Sequence, residues 1–382
     1  VFNQVTDDGG KTWKALGEVA KHVDNHALWI DPDNTKHMLS GCDGGVYETW
    51  DGAKAWDFKS NISIAEIYKV TTDNAYPFYN VFAGTQDNSS FGGPSRTINK
   101  SGISNSDWFI TMGGDGFESQ VDWQDPNIIY AQSQNGGLVR FDKKSGEELD
   151  IKPVELNDSG YRFDWSSPLL ISKHNHKRVY FAANRLLRTN DQGNTWEEIS
   201  PDLTRGVPKR MQKLMNRNWS IDELAGKSSM AQLSAIAESP LDENLLFAGS
   251  GDGIISYSVN GGKTWNRSTN PPGLPEYSRI SQFAPSNHNK SVVYVATENF
   301  TGGNYKPFLY KSSDGGQTWT SINGNLPEKG STYSVAEDHL NPSLLFVGTQ
   351  FGLFFSNNGG KEWIQIKNGI PPTMISDIEI QK

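Results

Sequence analysis

Ser312–Trp319 reads SSDGGQTW, and the chain repeats it. Thr6–Trp13 is TDDGGKTW, Thr189–Trp196 is TNDQGNTW, Ser258–Trp265 is SVNGGKTW and Ser356–Trp363 is SNNGGKEW; a worn copy, Thr49–Trp56, reads TWDGAKAW. A short apolar run precedes each octet and another follows it, such as Ile254-Ile255-Ser256-Tyr257 before one copy and Thr320-Ser321-Ile322 after another. The pattern is strand, tight turn, strand. Each position of the octet has a structural task. Ser or Thr at the first position satisfies turn backbone. Asp or Asn at the third (Asp8, Asp51, Asp191, Asn260, Asp314, Asn358) bonds amides within the turn. Gly at the fifth supplies a positive φ without steric cost. The closing Trp (Trp13, Trp196, Trp265, Trp319, Trp363) is a large apolar plug to set between neighbouring units. The octet is therefore read as a turn and not as a catalytic site.

The third-position residues are spaced by 43, 140, 69, 54 and 44. A unit of about 40–45 residues suits a four-stranded radial unit. The gap of 140 then conceals two units without octets. Tyr79–Gly84 followed by Thr85–Asn88 is a strand and loop of one. Ile128–Ala131 and Gly137–Asp142 belong to the next, with Asp142–Gly146 as its turn. Turns opening on Pro recur at Asp31-Pro32, Asp125-Pro126, Ser239-Pro240 and Asn341-Pro342, where Pro starts a turn and cannot occupy a central strand. Seven whole units follow, at 22–60, 61–106, 107–156, 157–204, 230–270, 275–325 and 329–368. Residues 1–17 look like the outer two strands of a further unit, and Met374–Gln381 (MISDIEIQ) alternates like an innermost strand. Either the two ends meet as a split eighth unit, or both belong to a separate unit or a neighbouring ring. Residues 205–229 break the pattern as a partly helical rim insertion carrying Arg205, Lys209, Arg210, Lys213, Arg217 and Lys227, read as a docking patch or lid, or simply as a solvated loop.

The octets resemble the Asp-box (BNR) repeats of sialidases, sortilin-type receptors and xyloglucan-degrading endoglucanases, all of them β-propellers. The resemblance implies an all-β propeller of four-stranded antiparallel blades, seven complete with the split eighth in question. Over nearly the whole chain, His26–Pro32, Gly84–Asn88, Arg162–Trp165 and Ser200–Thr204 are similar to large secreted bacterial proteins with sortilin-like or glycosyl-hydrolase-like repeats. Those resemble tandem propellers, of which this chain matches the second. A neighbouring propeller in the same protein, and a secreted, periplasmic or cell-surface home, are what that resemblance implies. The chain opens at Val1 without Met and is read as a fragment or processed product, so an absent signal peptide says little.

Composition narrows the partners. A formal net charge of −9 argues against a nucleic-acid binder, which needs a basic footprint, and against an anionic membrane surface. One cysteine, Cys42, allows neither a disulfide framework nor a cysteine metal cluster. No run of about 18 apolar residues marks a membrane-spanning helix. No cofactor is expected. An acidic loop has the chemistry for a structural calcium, but no EF-hand-type string is present.

Function on such a ring is expected on the face opposite the octets, over the central channel. The loops reaching that face carry Asp43, Gln86, Asp87, Asn88, Gln134, Arg185, Asp252 and Glu298. The entries to the innermost strands add His26, Glu66, Tyr68, Asp115, Glu118, Arg162, Asp164, Trp165, Gln232, Arg279 and Tyr333. Carboxylates, amides and arginines among aromatics suit a sugar or a peptide. Asp115 sits in a glycine-framed bend, Gly113–Glu118, as a general acid or base or as a turn Asp capping amides. Arg162 and Asp164 stand two apart on one strand face, as a substrate clamp or a structural ion pair. His22, Asp24 and His26 alternate at a strand entry; with no further ligand in view, no metal is assigned to them.

Sialidase chemistry is disfavoured, because no Phe/Tyr-Arg-Ile-Pro tetrapeptide occurs. The endoglucanase resemblance implies paired aspartates across a cleft, for which Asp43, Asp87 and Asp115 are the candidates. The expected function is a binding module for a glycan or peptide. A glycoside hydrolase or lyase with paired carboxylates, and a scaffold for protein assembly, are the alternatives.

Overall fold

The computed structural model describes residues 2–62, 64–154, 160–208, 211–215, 217–220 and 230–381. Lys209, Arg210 and Lys227 of the basic insertion lie outside the described residues.

A two-stranded ribbon, β1 (Gln4–Val5) and β2 (Lys14–Ala15), comes first. Seven four-stranded antiparallel sheets follow in chain order. The first holds β3 (Asn25–Ile30), β4 (Met38–Cys42), β5 (Gly45–Thr49) and β6 (Asp57–Phe58). The second holds β7 (Ile67–Thr72), β8 (Asn80–Thr85), β9 (Ser90–Pro94) and β10 (Phe109–Met112). In the third are β11 (Gly116–Val121), β12 (Ile128–Ser133), β13 (Gly137–Asp142) and β14 (Glu147–Asp150). The fourth contains β15 (Leu169–Ile171), β16 (Val179–Ala182), β17 (Leu186–Thr189) and β18 (Glu197–Glu198). The fifth contains β19 (Leu233–Ser239), β20 (Asp242–Ser250), β21 (Ile255–Ser258) and β22 (Asn266–Arg267). β23 (Arg279–Pro285), β24 (Val293–Asn299), β25 (Asn304–Ser312) and β26 (Thr320–Ser321) form the sixth. β27 (Thr332–Glu337), β28 (Leu345–Thr349), β29 (Gly352–Ser356) and β30 (Ile364–Ile366) form the seventh. In every sheet the strands lie side by side in chain order, so each connection is a hairpin. β10 begins beyond residue 106, where the second unit was expected to end. The β9–β10 connection is a long loop with a 3₁₀ turn at Asn105–Asp107 in place of an octet.

The octets join the two outer strands. In the Ser312 copy, the Ser312 hydroxyl donates to Asp314 Oδ1 at 2.7 Å and accepts the Gly316 amide at 2.9 Å, while Asp314 Oδ1 accepts the Thr318 amide at 3.0 Å. The Ser356 copy repeats these bonds with Asn358. The fifth-position glycines sit at φ between 88° and 91°, and Ala53 of the worn copy is at 68°, a region that costs a side chain about 1 kcal/mol or more.

The closing Trp does more than fill space. Trp196 Nε1 donates to Ile151 O at 2.9 Å, Trp265 Nε1 to Ile199 O at 2.8 Å, Trp363 Nε1 to Ile322 O at 2.9 Å and Trp56 Nε1 to Gly17 O at 2.7 Å. Each acceptor lies just past the outermost strand of the preceding unit, so every such tryptophan stitches its sheet to the one before. Trp319 departs from this: its indole N–H has no partner among the described residues, and Thr269 N bonds Gln317 O at 3.1 Å there instead. Trp13 is 59% exposed and plugs nothing among the described residues.

The core consists of layers between adjacent sheets. Phe82, Val121 and Ile129 fill one; Tyr130, Leu138 and Phe181 the next; Tyr180, Leu233 and Leu246 a third; Phe247, Phe283 and Trp319 a fourth; Tyr294, Val335 and Trp363 a fifth. Sheets buried on both faces read as near-continuous apolar runs, as β16 and β24 do. Close approach requires glycine at the inner contact. A Cβ at Gly84 would lie 2.2 Å from the Phe117 amide nitrogen, and one at Gly348 would lie 2.3 Å from Ile375 O.

That second contact places the C-terminal segment. Met374–Gln381 forms no ladder strand, yet it stands where an innermost strand would stand, between the seventh and second sheets. Ile375 N donates to Thr349 O at 3.0 Å, Ser376 Oγ to Tyr68 O at 3.0 Å, and the Asp377 carboxylate accepts Val70 N at 3.1 Å and Gln282 Nε2 at 2.8 Å. The ribbon β1–β2 instead meets the first sheet through Trp56 and Gly17. In that first sheet β3 is open, with Leu28, Trp29 and Ile30 exposed by 43%, 47% and 45%.

Candidate functional site

Each innermost strand runs away from the face opposite the octets, so the strand entries and the loops between the two middle strands share that face. They surround one end of a cavity of about 1130 Å³, walled by the innermost strands of the second to seventh sheets and by Ser376–Ile380. Trp165, Trp219, Phe300 and Tyr305 stand at this mouth with Asp164, Gln232, Arg279 and Glu298. Lys173, Glu238, Asn287, Glu337 and His339 line the far end.

Arg279 opens β23 and reaches Asp164 Oδ2 at 2.8 Å. Burial works against its charge, but the Asp164 carboxylate outweighs that and holds the guanidinium more firmly protonated. Glu298 is the cross-strand partner of Arg279 in the ladder. Burial pushes its carboxyl up to about 7, despite Arg279 and the Phe300 amide. Tyr333 bonds Gln350, and Tyr68 bonds Gln86. Both phenols are pushed up to about 12, chiefly by burial. Deeper in the wall, burial and the neighbouring Asp377 push Glu118 up to about 8, against Lys69 and a 2.8 Å bond from Gln120.

A second polar cluster sits beside the mouth, between the first and second sheets. Asp24, Asp43 and Asp87 each bring an oxygen within 4.8 Å of the others. Gln86 Nε2 donates to Asp43 Oδ2 at 2.7 Å, Asn88 Nδ2 donates to Asp43 O at 2.8 Å, and His26 Nε2 pairs with Asp43. His22 Nε2 stands 3.9 Å from Asp87 Oδ2. Asp115 Oδ1 accepts the Asp87 amide at 2.9 Å, and Gln134 Oε1 accepts the Asp115 amide at 2.9 Å. Burial, then Asp87, raises the Asp115 carboxyl above its ordinary range. Three carboxylates at this spacing are oxygen donors of the kind a calcium ion takes. The structure thus gathers Asp43, Asp87 and Asp115 into one cluster, linked through Gln86 and Tyr68 to the channel.

Other candidates have structural partners. Arg162 and Asp164 do not pair with each other. Arg162 Nη2 meets Asp202 Oδ2 at 2.7 Å, its Nε donates to Ala231 O at 2.8 Å, and Asp164 turns to Arg279. The expected strand face is not formed, because both residues lie in irregular backbone ahead of β15, and each finds its opposite charge on a different element. Arg185 pairs with Glu198 at 3.1 Å on the surface. Asp252 is fully buried in its turn, accepting the Ser250 hydroxyl at 2.6 Å and the Arg205 amide at 2.9 Å. Gln134 serves the Asp115 bend. Lys69, Asp377 and Tyr305 were not singled out from sequence. The MISDIEIQ alternation carried the signal for Asp377, because a carboxylate on an inner strand of a ring faces either the channel or a neighbouring strand.

The BNR/Asp-box repeat model matches residues 4–15. The xyloglucanase Xgh74A of Acetivibrio thermocellus is 23% identical over 288 residues, 66% of this chain and 31% of its own length. The chain thus spans about a third of the curated relative it matches. Among solved structures, the β-propeller domain of Cps50 (Swd1) from Myceliophteria thermophila aligns with a TM-score of 0.50 at 11% identity, covering 81% of this chain and 89% of that one. The xyloglucanase of Xanthomonas campestris aligns at 14% identity with a TM-score of 0.35, covering 95% and 62%. Octets at the outer turns, seven four-stranded antiparallel sheets and the likeness to the Cps50 propeller domain agree: the chain folds as a β-propeller with Asp-box turns.

Proposed function

We propose that this chain binds a polysaccharide on the face opposite the octet turns, outside the cytoplasm, with the glycan lying across the channel mouth. The observation that carries this reading is the mouth itself. Exposed aromatic surfaces from Trp165, Phe300 and Tyr305 surround buried polar groups from Asp164, Gln232 and Glu298, the combination that sugar rings need for stacking and hydrogen bonding. Similarity to a xyloglucanase supports a glycan over a peptide. The test is affinity electrophoresis against xyloglucan and other soluble polysaccharides, with reducing-end release measured in parallel. Retardation without release is expected, and weaker retardation of Trp165→Ala. Migration unaffected by every polysaccharide would sink the proposal, and native protein confined to the cytoplasm would sink its compartment.

Hydrolysis is the second reading, favoured by the clustering of Asp43, Asp87 and Asp115. The closest oxygens of Asp43 and Asp87 lie within 4.8 Å of one another, short of the ~6.5–9.5 Å of an inverting pair and nearer the ~5–5.5 Å of a retaining one. Release of reducing ends that is abolished by Asp115→Asn would reverse this ranking.

A neighbouring propeller of the same full-length protein is proposed to cover β3, whose apolar side chains stand exposed where those of β19 are buried. A cysteine at Leu28 is expected to react readily with a maleimide in this chain and to be protected in the longer protein. Equal reactivity in both argues against such a neighbour.

A further inference from the structure

Beside the ion-paired Asp164 Oδ2, two buried acceptors in the wall of the channel mouth have nothing to accept. Gln232, at the entry to β19, is 2% exposed, and Glu298, at the end of β24, is 4% exposed. Both line the cavity. Gln232 Oε1 and Glu298 Oε2 have no hydrogen-bond partner among the described residues. Leaving such a group unsatisfied is costly, so a donor supplied from the cavity would stabilise both.

The surrounding charges restrict what that donor is. Arg279 is the cation beside them, and Asp164 already holds it at 2.8 Å. An anionic ligand therefore finds its natural counter-charge taken. A cationic ligand would have to enter beside that guanidinium. A neutral donor faces neither penalty. Water satisfies the acceptors when the site is free, and hydroxyl groups can replace that water if they reproduce its bonds. The aromatic rims of Trp165 and Phe300, each 42% exposed, stand in the same wall to take the apolar face of a sugar ring.

We propose that Gln232 and Glu298 form a hydroxyl-reading subsite for an uncharged sugar unit, with Trp165 as its stacking wall and the Asp164–Arg279 pair as the feature that excludes charged sugars. This rests on the glycan-binding reading above and adds to it the residues and the ligand charge class. Burial raises the Glu298 carboxyl to about 7, so below that value it is mostly protonated and both donates and accepts.

The test is isothermal titration with three probes of matched length: neutral cello-oligosaccharide, chitosan oligosaccharide and oligogalacturonate. The unaltered protein is expected to bind the neutral probe at least tenfold more tightly than either charged one. Gln232→Leu removes the acceptor while keeping volume and is expected to weaken neutral binding about tenfold. Glu298→Ala is expected to do the same, whereas Glu298→Gln, which keeps a donor and an acceptor, stays within about threefold of the unaltered protein. Each variant is first checked for an unchanged unfolding midpoint; Gln232→Leu alters no charge and keeps the test open if Glu298→Ala does not fold. Unchanged affinity in Gln232→Leu overturns the subsite and leaves the broader glycan reading intact. Preference for a charged probe overturns the neutral class. Failure of the unaltered protein to bind any of the three, together with unretarded migration in every polysaccharide gel, overturns both.

Discussion

Asp164 and Arg279 meet at 2.8 Å although one leads into the fourth sheet and the other opens the sixth. The pair spans the entry of the fifth sheet, where Gln232 sits, and ties the fourth and sixth units together at the mouth.

Removing one member of such a pair strands the other. Asp164 is 4% exposed, so Arg279→Met leaves a buried carboxylate without its cation, a change that costs roughly 3–5 kcal/mol. Arg279 keeps about a third of its side chain in solvent, which puts the expected loss near the lower end, about 3 kcal/mol by the same reasoning. Urea unfolding measures it. The double variant Arg279→Met with Asp164→Asn is expected to recover much of the loss. A single-variant loss below about 1 kcal/mol, the range of exposed pairs, would contradict this view.

Stability is expected to fall at both ends of the pH scale, through different groups. Thr195 and Thr189 hold Asp191 down to about 2. Asp202 and Asp314 reach about 2 through Arg162 and Thr318 respectively, although burial opposes both. Their folded values lie below the ordinary 3.8, so the stability they add is present above that value and is lost as pH falls through about 2. Glu298 and Glu118 are raised from 4.5 to about 7 and about 8. Their contribution is full below 4.5 and is lost as pH rises through those values. Unfolding midpoints between pH 4 and 9 are expected to decline on the alkaline side, and Glu118→Gln to flatten that decline. An identical slope in the variant would remove Glu118 from the account.

The tryptophan stitches predict a distinct cost. Trp196→Phe keeps most of the apolar contact with its neighbours but leaves Ile151 O without its donor at 2.9 Å. The expected loss is about 1–3 kcal/mol. Trp13→Phe, at an exposed site with no such bond among the described residues, is expected to change stability by less than about 0.5 kcal/mol. Equal effects of the two substitutions would mean that the indole bond contributes nothing.

Asp377 binds the second and sixth sheets at once, and Ile375 binds the seventh. Asp377→Ala removes the acceptor for both Val70 N and Gln282 Nε2. A loss of about 2 kcal/mol is expected in thermal unfolding. Glu362→Ala, an exposed change, is the control. A midpoint unmoved by Asp377→Ala would show that the terminal segment is not what holds these sheets together.

The octets made the architecture legible because each residue in them acts locally. The Ser312–Asp314–Thr318 bonds span seven residues, and their spacing alone implies a turn. The inward-facing groups were legible as a population but not as pairs. Arg162 and Asp164 are two apart in sequence, yet their partners Asp202 and Arg279 lie 40 and 115 positions away from them. Only closure of the ring decides such pairings. Asp252 looked available because it sits on a channel-side loop, but Ser250 and Arg205 hold it in the kind of buried turn that the octets use. Gln232 and Glu298 were visible as polar residues near strand entries. That they are buried with idle acceptors is a property of packing and leaves no trace in residue type.

The stitches from Trp196 to Ile151, Trp265 to Ile199 and Trp363 to Ile322 all point the same way, from a later unit to an earlier one. A unit thus carries its own plug and offers a socket to its successor. Because the socket is a backbone carbonyl, it does not depend on which side chain its owner bears. A duplicated unit would arrive with both connectors in place and need no matching change in its neighbours. The same grammar that joins the sheets lets their number change by whole steps, while the mouth, whose pairs reach across several units, has to be rebuilt each time.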